Sequence, residues 1–228
     1  MPARSPQPTA VTLRDVKADR EVQELLTGAN DLLNAMGYTE HGLRHAGIVS
    51  TITKYILQKS GASEREQELG AIAAFLHDIG NVINRLNHPM IGAVMAQNIL
   101  SRLGMPTQEI VPIMGAIGNH EELQGQPVSH MSAALIIADK SDVHFSRVQN
   151  PILETFDIHD RVNYAVQKSR VEIPEGKSEI SLLLEIDSSF ATAMEYFEIF
   201  LTRMVMCRRS AEVLGYRFQL QVNGTTLE

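Results

Sequence analysis

The sequence predicts a mainly α protein in two parts: a helical bundle over residues 18–150, then a small α+β unit of β-β-α-β order over residues 151–228. A flexible tail at 1–17 is expected to precede them. Three observations predict this class. Apolar residues recur at helical spacing through six stretches between residues 18 and 146, and the breaks between these stretches fall at Gly and Pro. After Pro151 the composition turns to β-branched and aliphatic runs bounded by turn residues.

Val22, Leu25, Leu26, Leu32, Leu33 and Met36 make the stripe of a first helix that ends at Gly37. A second begins at Thr39, turns Leu43, Ile48, Ile52 and Ile56 inward, and stops at Ser60-Gly61. Ser63 is the expected N-cap of a third, with Glu66 as capping-box partner, and this helix runs through the apolar stretch 71–76 to Gly80. Pro89 marks the first turn of a fourth helix reaching about residue 103; residues 106–119 and 130–146 are the fifth and sixth. Beyond them, 162–173 and 179–186 read as a hairpin joined by Pro174-Glu175-Gly176-Lys177. A long amphipathic helix from Ser189 to about Leu214 precedes the alternating run 216–222, whose Phe218, Leu220 and Val222 share a face. One helix on a small antiparallel sheet of three strands leaves an edge exposed, so a homodimer through this unit is expected.

The 228 residues carry 27 acidic and 20 basic side chains, a net charge of -7, which argues against a nucleic-acid coat. The single cysteine, Cys207, excludes an intrachain disulfide framework and fits a reducing, cytoplasmic setting. The opening residues lack the apolar stretch of a signal peptide, and no stretch offers the roughly 18 apolar residues of a membrane span.

The eight histidines are more telling. His45 falls in the second helix, His77-Asp78 at the end of the third, His88 at the start of the fourth, His120 at the end of the fifth, and Asp139 inside the sixth. His77-Asp78 directly follows the apolar 71–76, and Asp139 follows the apolar 133–138, so strongly polar groups arrive where burial is expected. A capping His and a hydrogen-bonded core Asp would explain either site alone. A metal would satisfy all of them together, and an all-N/O set without thiolates suits a catalytic rather than a structural ion.

The ordered set His45, His77-Asp78-Ile79-Gly80, Asp139 resembles the H...HD...D signature of HD-domain metal-dependent phosphohydrolases in the HDIG form, over about residues 20–150. His45-Ala46-Gly47-Ile48-Val49 is similar to that family's H-x-x-x-V helix. His88-Pro89 with Gly92-Ala93, and His120-Glu121, look like the extra histidines of its binuclear members. The resemblance implies an HD-type bundle in which His45, His77, Asp78 and Asp139 hold one divalent ion, and Asp78, His88 and His120 a second. Iron or manganese is favoured over magnesium, nickel, cobalt or zinc. It also implies a small phosphorylated substrate, such as a nucleotide, whose phosphoester or phosphoanhydride is cleaved by metal-activated water, with Asp78 and Glu121 in the catalytic machinery.

Around that set, His41, Arg85, Lys140 and Arg147 are candidate phosphate contacts. His41 sits four residues before His45 and so is expected to share its helix face. Arg147 lies eight residues beyond Asp139 and offers a fork, whereas Lys140 reads more readily as a solvated charge. Many HD hydrolases have Lys after HDIG; here the residue is Asn81. A second dipeptide, His159-Asp160, follows a mixed stretch and is read as a surface turn. Two other readings stay open: an HD-fold di-iron oxygenase, and a regulatory module that binds a nucleotide without turnover.

Overall fold

The computed structural model describes residues 10–227. Nine helices are found among them: α1 (Leu13–Ala18), α2 (Arg20–Ala35), α3 (Leu43–Lys59), α4 (Glu64–Leu76), α5 (His88–Arg102), α6 (Thr107–Gly118), α7 (His130–Ser141), α8 (Ile158–Ala165) and α9 (Ala193–Val213). Strands β1 (Val166–Glu172), β2 (Glu179–Ile186), β3 (Arg217–Val222) and β4 (Thr225–Leu227) form one sheet in that order. The mainly α class and the C-terminal β-β-α-β order hold. No described helix is long and apolar enough to cross a membrane.

The helix ends follow local chemistry. Ser63 and Glu66 form the expected reciprocal capping box at α4. Ser129 and Thr192 cap α7 and α9 through the same kind of pair. α3 packs on α4 and α7, α5 packs on α6, and α9 lies along α7. Ile56, Ile72, Leu76, Ile79, Leu100, Ile113, Ile117 and Leu135 are fully buried between these helices.

Several expectations are corrected. Residues 1–9 of the expected tail lie outside the described residues, but 13–17 are not tail. Thr12 caps α1 with Asp15, and Val16 is buried. The sixth helix ends at Ser141 rather than 146, and a 3₁₀ turn over Phe145–Arg147 follows. The expected strand from 162 starts only at Val166. Asp157 accepts from the Asp160 amide and caps α8, whose Val162 and Ala165 are buried at helical spacing. His159-Asp160 is therefore the first turn of a helix, with Asp160 buried and accepting from Asn150.

The sheet is mixed and has four strands, not a three-stranded antiparallel one. β1 and β2 pair antiparallel, and so do β3 and β4. β2 and β3 run parallel, because α9 crosses between them and returns the chain in the same direction.

Candidate metal centre

The ligand-type side chains all sit at or near helix ends. His45 is the third residue of α3, and His77 caps the C-terminus of α4. Asp78 follows with φ -95° and ψ 1°, turning the chain into a 3₁₀ turn over Ile79–Val82. Asn87 takes the left-handed conformation, φ 63°, and sends His88 into α5. His120 follows the end of α6, and Asp139 lies in the last turn of α7.

Each of four imidazoles is held through its Nδ1. His45 Nδ1 lies 2.7 Å from Asp142 Oδ2, His77 Nδ1 2.7 Å from the Ala74 carbonyl, His88 Nδ1 2.9 Å from the Arg85 carbonyl, and His120 Nδ1 2.7 Å from the Ile117 carbonyl. Those acceptors require a proton on Nδ1, so in the neutral ring Nε2 carries the lone pair. The Nε2 atoms then meet in pairs, His45 with His77 at 3.3 Å and His88 with His120 at 3.0 Å. Two lone pairs that close repel unless a cation lies between them.

Asp78 joins the two pairs. Its Oδ2 lies 3.3 Å from His77 Nε2 and 3.6 Å from His45 Nε2, while its Oδ1 lies 3.3 Å from His88 Nε2 and 3.8 Å from His120 Nε2. Asp139 Oδ1 adds to the first pair, 3.3 Å from His45 Nε2 and 3.6 Å from His77 Nε2. Ligands about 2.0–2.2 Å from a shared ion stand roughly 3.0–3.5 Å apart, close to these separations. Asp78 Oδ2 is buried without a hydrogen-bond partner, the atom most in need of a cation.

The protonation balance points the same way. Burial alone would lower His77, but Asp78 and Asp139 outweigh it and raise the imidazole to about 10. Burial would raise Asp78 and Asp139, yet His77 and Lys140 respectively hold them well below the usual carboxylate range. Burial and the neighbouring His77 and His88 push His120 down, toward the neutral ligand form. Ionised carboxylates and a neutral His120 are what a divalent cation requires, and a bound cation would take the place of the proton that Asp78 and Asp139 hold on His77. The donor set therefore fits the metal that the sequence implied.

Residues 40–144 match the HD domain family, and this span contains all six candidate ligands. Over that span the chain is similar to HD-domain proteins. It is 28% identical over 182 residues, 69% of either chain, to the uncharacterized protein MJ1020 of Methanocaldococcus jannaschii. It is also similar to a solved predicted HD superfamily hydrolase from an uncultured Thermotogales bacterium, with a TM-score of 0.44 and 22% identity over 55% of this chain and 68% of that one.

A cavity of about 330 Å³ opens beside the HD site and is lined by His41, Arg85, Glu121, Lys140 and Arg147, among others. Arg85 Nη2 donates to Glu121 Oε2 at 3.0 Å, and Nη1 lies 3.9 Å from Asp78 Oδ1. Burial pushes the Glu121 carboxyl up, against Lys140 and Arg85. Lys140 is not the solvated charge the sequence allowed. It is 6% exposed, and its Nζ sits 2.8 Å from both Asp139 Oδ2 and Glu122 Oε2. His41 precedes α3 rather than sharing its face, yet its ring centroid is 5.4 Å from that of His45.

Arg147 does not offer a free fork. Its Nε and Nη2 donate to the Glu40 carbonyl and its Nη1 to the Asp142 carbonyl, which ties the loop before α3 to the end of α7. Asn81, the departure from the family's Lys, donates from Nδ2 to Asp78 Oδ1 at 2.8 Å and so orients the bridging carboxylate.

Asp142 was not singled out in the sequence, although its spacing of three residues from Asp139 was available. It accepts from Arg44 Nη2 at 2.9 Å and faces His45 Nδ1, so it fixes the tautomer of a ligand. Asp142→Asn is expected to lower metal affinity by about 10–100-fold, read by competition with a chromophoric chelator. An unchanged affinity would show that Asp142 does not act through His45. Glu122, also missed, links Lys140 to Arg203 of α9, whose Nε donates to its Oε1 at 2.9 Å.

Proposed function

We propose that this HD domain is a metal-dependent hydrolase that releases phosphate from a nucleotide or another small phosphorylated metabolite. The observation that supports this most is the Asp78 carboxylate, with one oxygen turned to each imidazole pair and one of them buried without a partner. His45, His77, Asp78 and Asp139 would hold one ion, and Asp78, His88 and His120 the other, with iron or manganese preferred for an all-N/O set. Bound divalent ions supply Lewis acidity and water activation.

The chain's own residues do the rest. Among the cavity residues, the five carboxylates Asp78, Glu121, Asp139, Asp142 and Asp157 outnumber the four cations Arg85, Lys140, Arg147 and Arg203, a balance that two divalent ions reverse in favour of a phosphate. Arg85 meets the phosphoryl oxygens with its fork. Lys140 holds Asp139 in place and His41 lines the approach. Glu121, whose carboxyl burial pushes up, takes or returns a proton at Oε2.

The test is metal analysis of protein purified without chelator, followed by a phosphatase and phosphodiesterase panel. Oxygen-independent phosphate release supports the reading. Substrate-dependent oxygen uptake by the iron-loaded protein would support an oxygenase instead, and tight nucleotide binding without turnover a regulatory module.

A homodimer through the C-terminal unit is part of the proposal, although the edge strand β4 has three residues and a short edge limits pairing. Light scattering at micromolar concentration should give twice the mass of the chain. A monomer contradicts it.

A further inference from the structure

The wall of the cavity supplied by the C-terminal unit carries a group that the chemistry above does not use. Asn163, on α8, lines the cavity, is 4% exposed, and its Oδ1 is buried without a hydrogen-bond partner. The orientation of its amide is fixed, since Nδ2 donates to the His159 carbonyl at 2.9 Å. A flipped amide would set Oδ1 against that carbonyl, two acceptors in contact. A buried acceptor left unpaired carries its full desolvation penalty, so it gains most from a ligand that brings a donor. Asp157, which caps α8, lines the same wall and is a second acceptor there.

We propose that Asn163 is a specificity residue whose Oδ1 accepts a hydrogen bond from a hydroxyl or amino group on the organic part of the phosphorylated substrate. The site would then favour sugar phosphates and nucleotides over phosphoesters whose organic part has no donor. This rests on the phosphohydrolase reading for the phosphate half of the ligand. The α8–α9 unit, packed beside the HD domain, would thereby choose the substrate while the HD residues cleave it.

The test compares binding by calorimetry of three probes to the full, manganese-loaded chain: ribose 5-phosphate, adenosine 5′-monophosphate and p-nitrophenyl phosphate. Asn163→Ala should weaken one or both donor-bearing probes by roughly three- to tenfold, the range of one neutral hydrogen bond, and leave p-nitrophenyl phosphate unchanged. Loss with both assigns the donor to sugar hydroxyls; loss with the nucleotide alone assigns it to the base amine. Asn163→Leu, similar in size and without an acceptor, should reproduce the pattern if the alanine variant folds poorly. Equal weakening of all three probes, no weakening of any, or failure of the wild-type chain to bind either donor-bearing probe overturns the inference. Phosphate release is recorded separately: donor-dependent binding without any turnover would refute the hydrolase reading and leave the role of Asn163 standing.

Discussion

Asp78→Ala should abolish phosphate release, by on the order of 10³-fold or more, and strip both metal positions. The magnitude follows from where the side chain sits. Its two oxygens face different imidazole pairs, Oδ2 toward His77 at 3.3 Å and Oδ1 toward His88 at 3.3 Å, so one substitution removes a ligand from each. Loss of an outer partner alone costs about 10–100-fold in metal affinity or activity, and a shared inner ligand should cost more. His88→Ala removes a ligand from the second pair alone and should leave one position filled. Activity and metal content near wild type in Asp78→Ala would remove the basis for the bridging role, provided circular dichroism shows a folded chain.

Gly80→Ala should be strongly destabilising for so small a substitution. A Cβ built there would lie 2.1 Å from the His88 carbonyl oxygen and 2.6 Å from the Gly92 amide nitrogen. Both are backbone atoms, so no rotamer change relieves the clash, and the first turn of α5 must shift away from the 79–82 turn. Overpacking of this kind costs about 1–3 kcal/mol and sometimes more. For a chain of this length that is a fall in Tm of roughly 2–12 °C. Because His88 begins α5, the second metal position should weaken in parallel. Gly115→Ala in α6, where a Cβ meets nothing within 4 Å, is the control and should be neutral or stabilising by up to about 1 kcal/mol. Equal melting of both variants with wild type would contradict the close approach of the two turns.

The HD site was legible because the sequence breaks its own pattern there. His77-Asp78 ends an apolar run, and Asp139 interrupts another, where buried charge needs a reason. The capped start of α4 was equally readable from Ser63 and Glu66, a purely local signal. What escaped depends on contacts between distant segments. Asp142 looked like one more charge on a helix until the loop at Glu40 and the 3₁₀ turn at Arg147 closed around it. Arg147 kept its fork in the sequence and lost it to two carbonyls in the fold. Asn163 was hidden by a misread element: its β-branched neighbours suggested a strand, whereas the Asp157 cap starts a helix that turns it to the cavity. The parallel pairing of β2 and β3 likewise follows from the α9 crossover, not from either strand's own pattern.

The central claim is that two cations share Asp78. An anomalous difference map from crystals of protein purified without chelator and loaded with manganese tests it most directly. The account predicts two peaks flanking the Asp78 carboxylate, one among His45, His77 and Asp139 and the other between His88 and His120. A map with no peak at Asp78, or with metal bound only elsewhere on the chain, would contradict it.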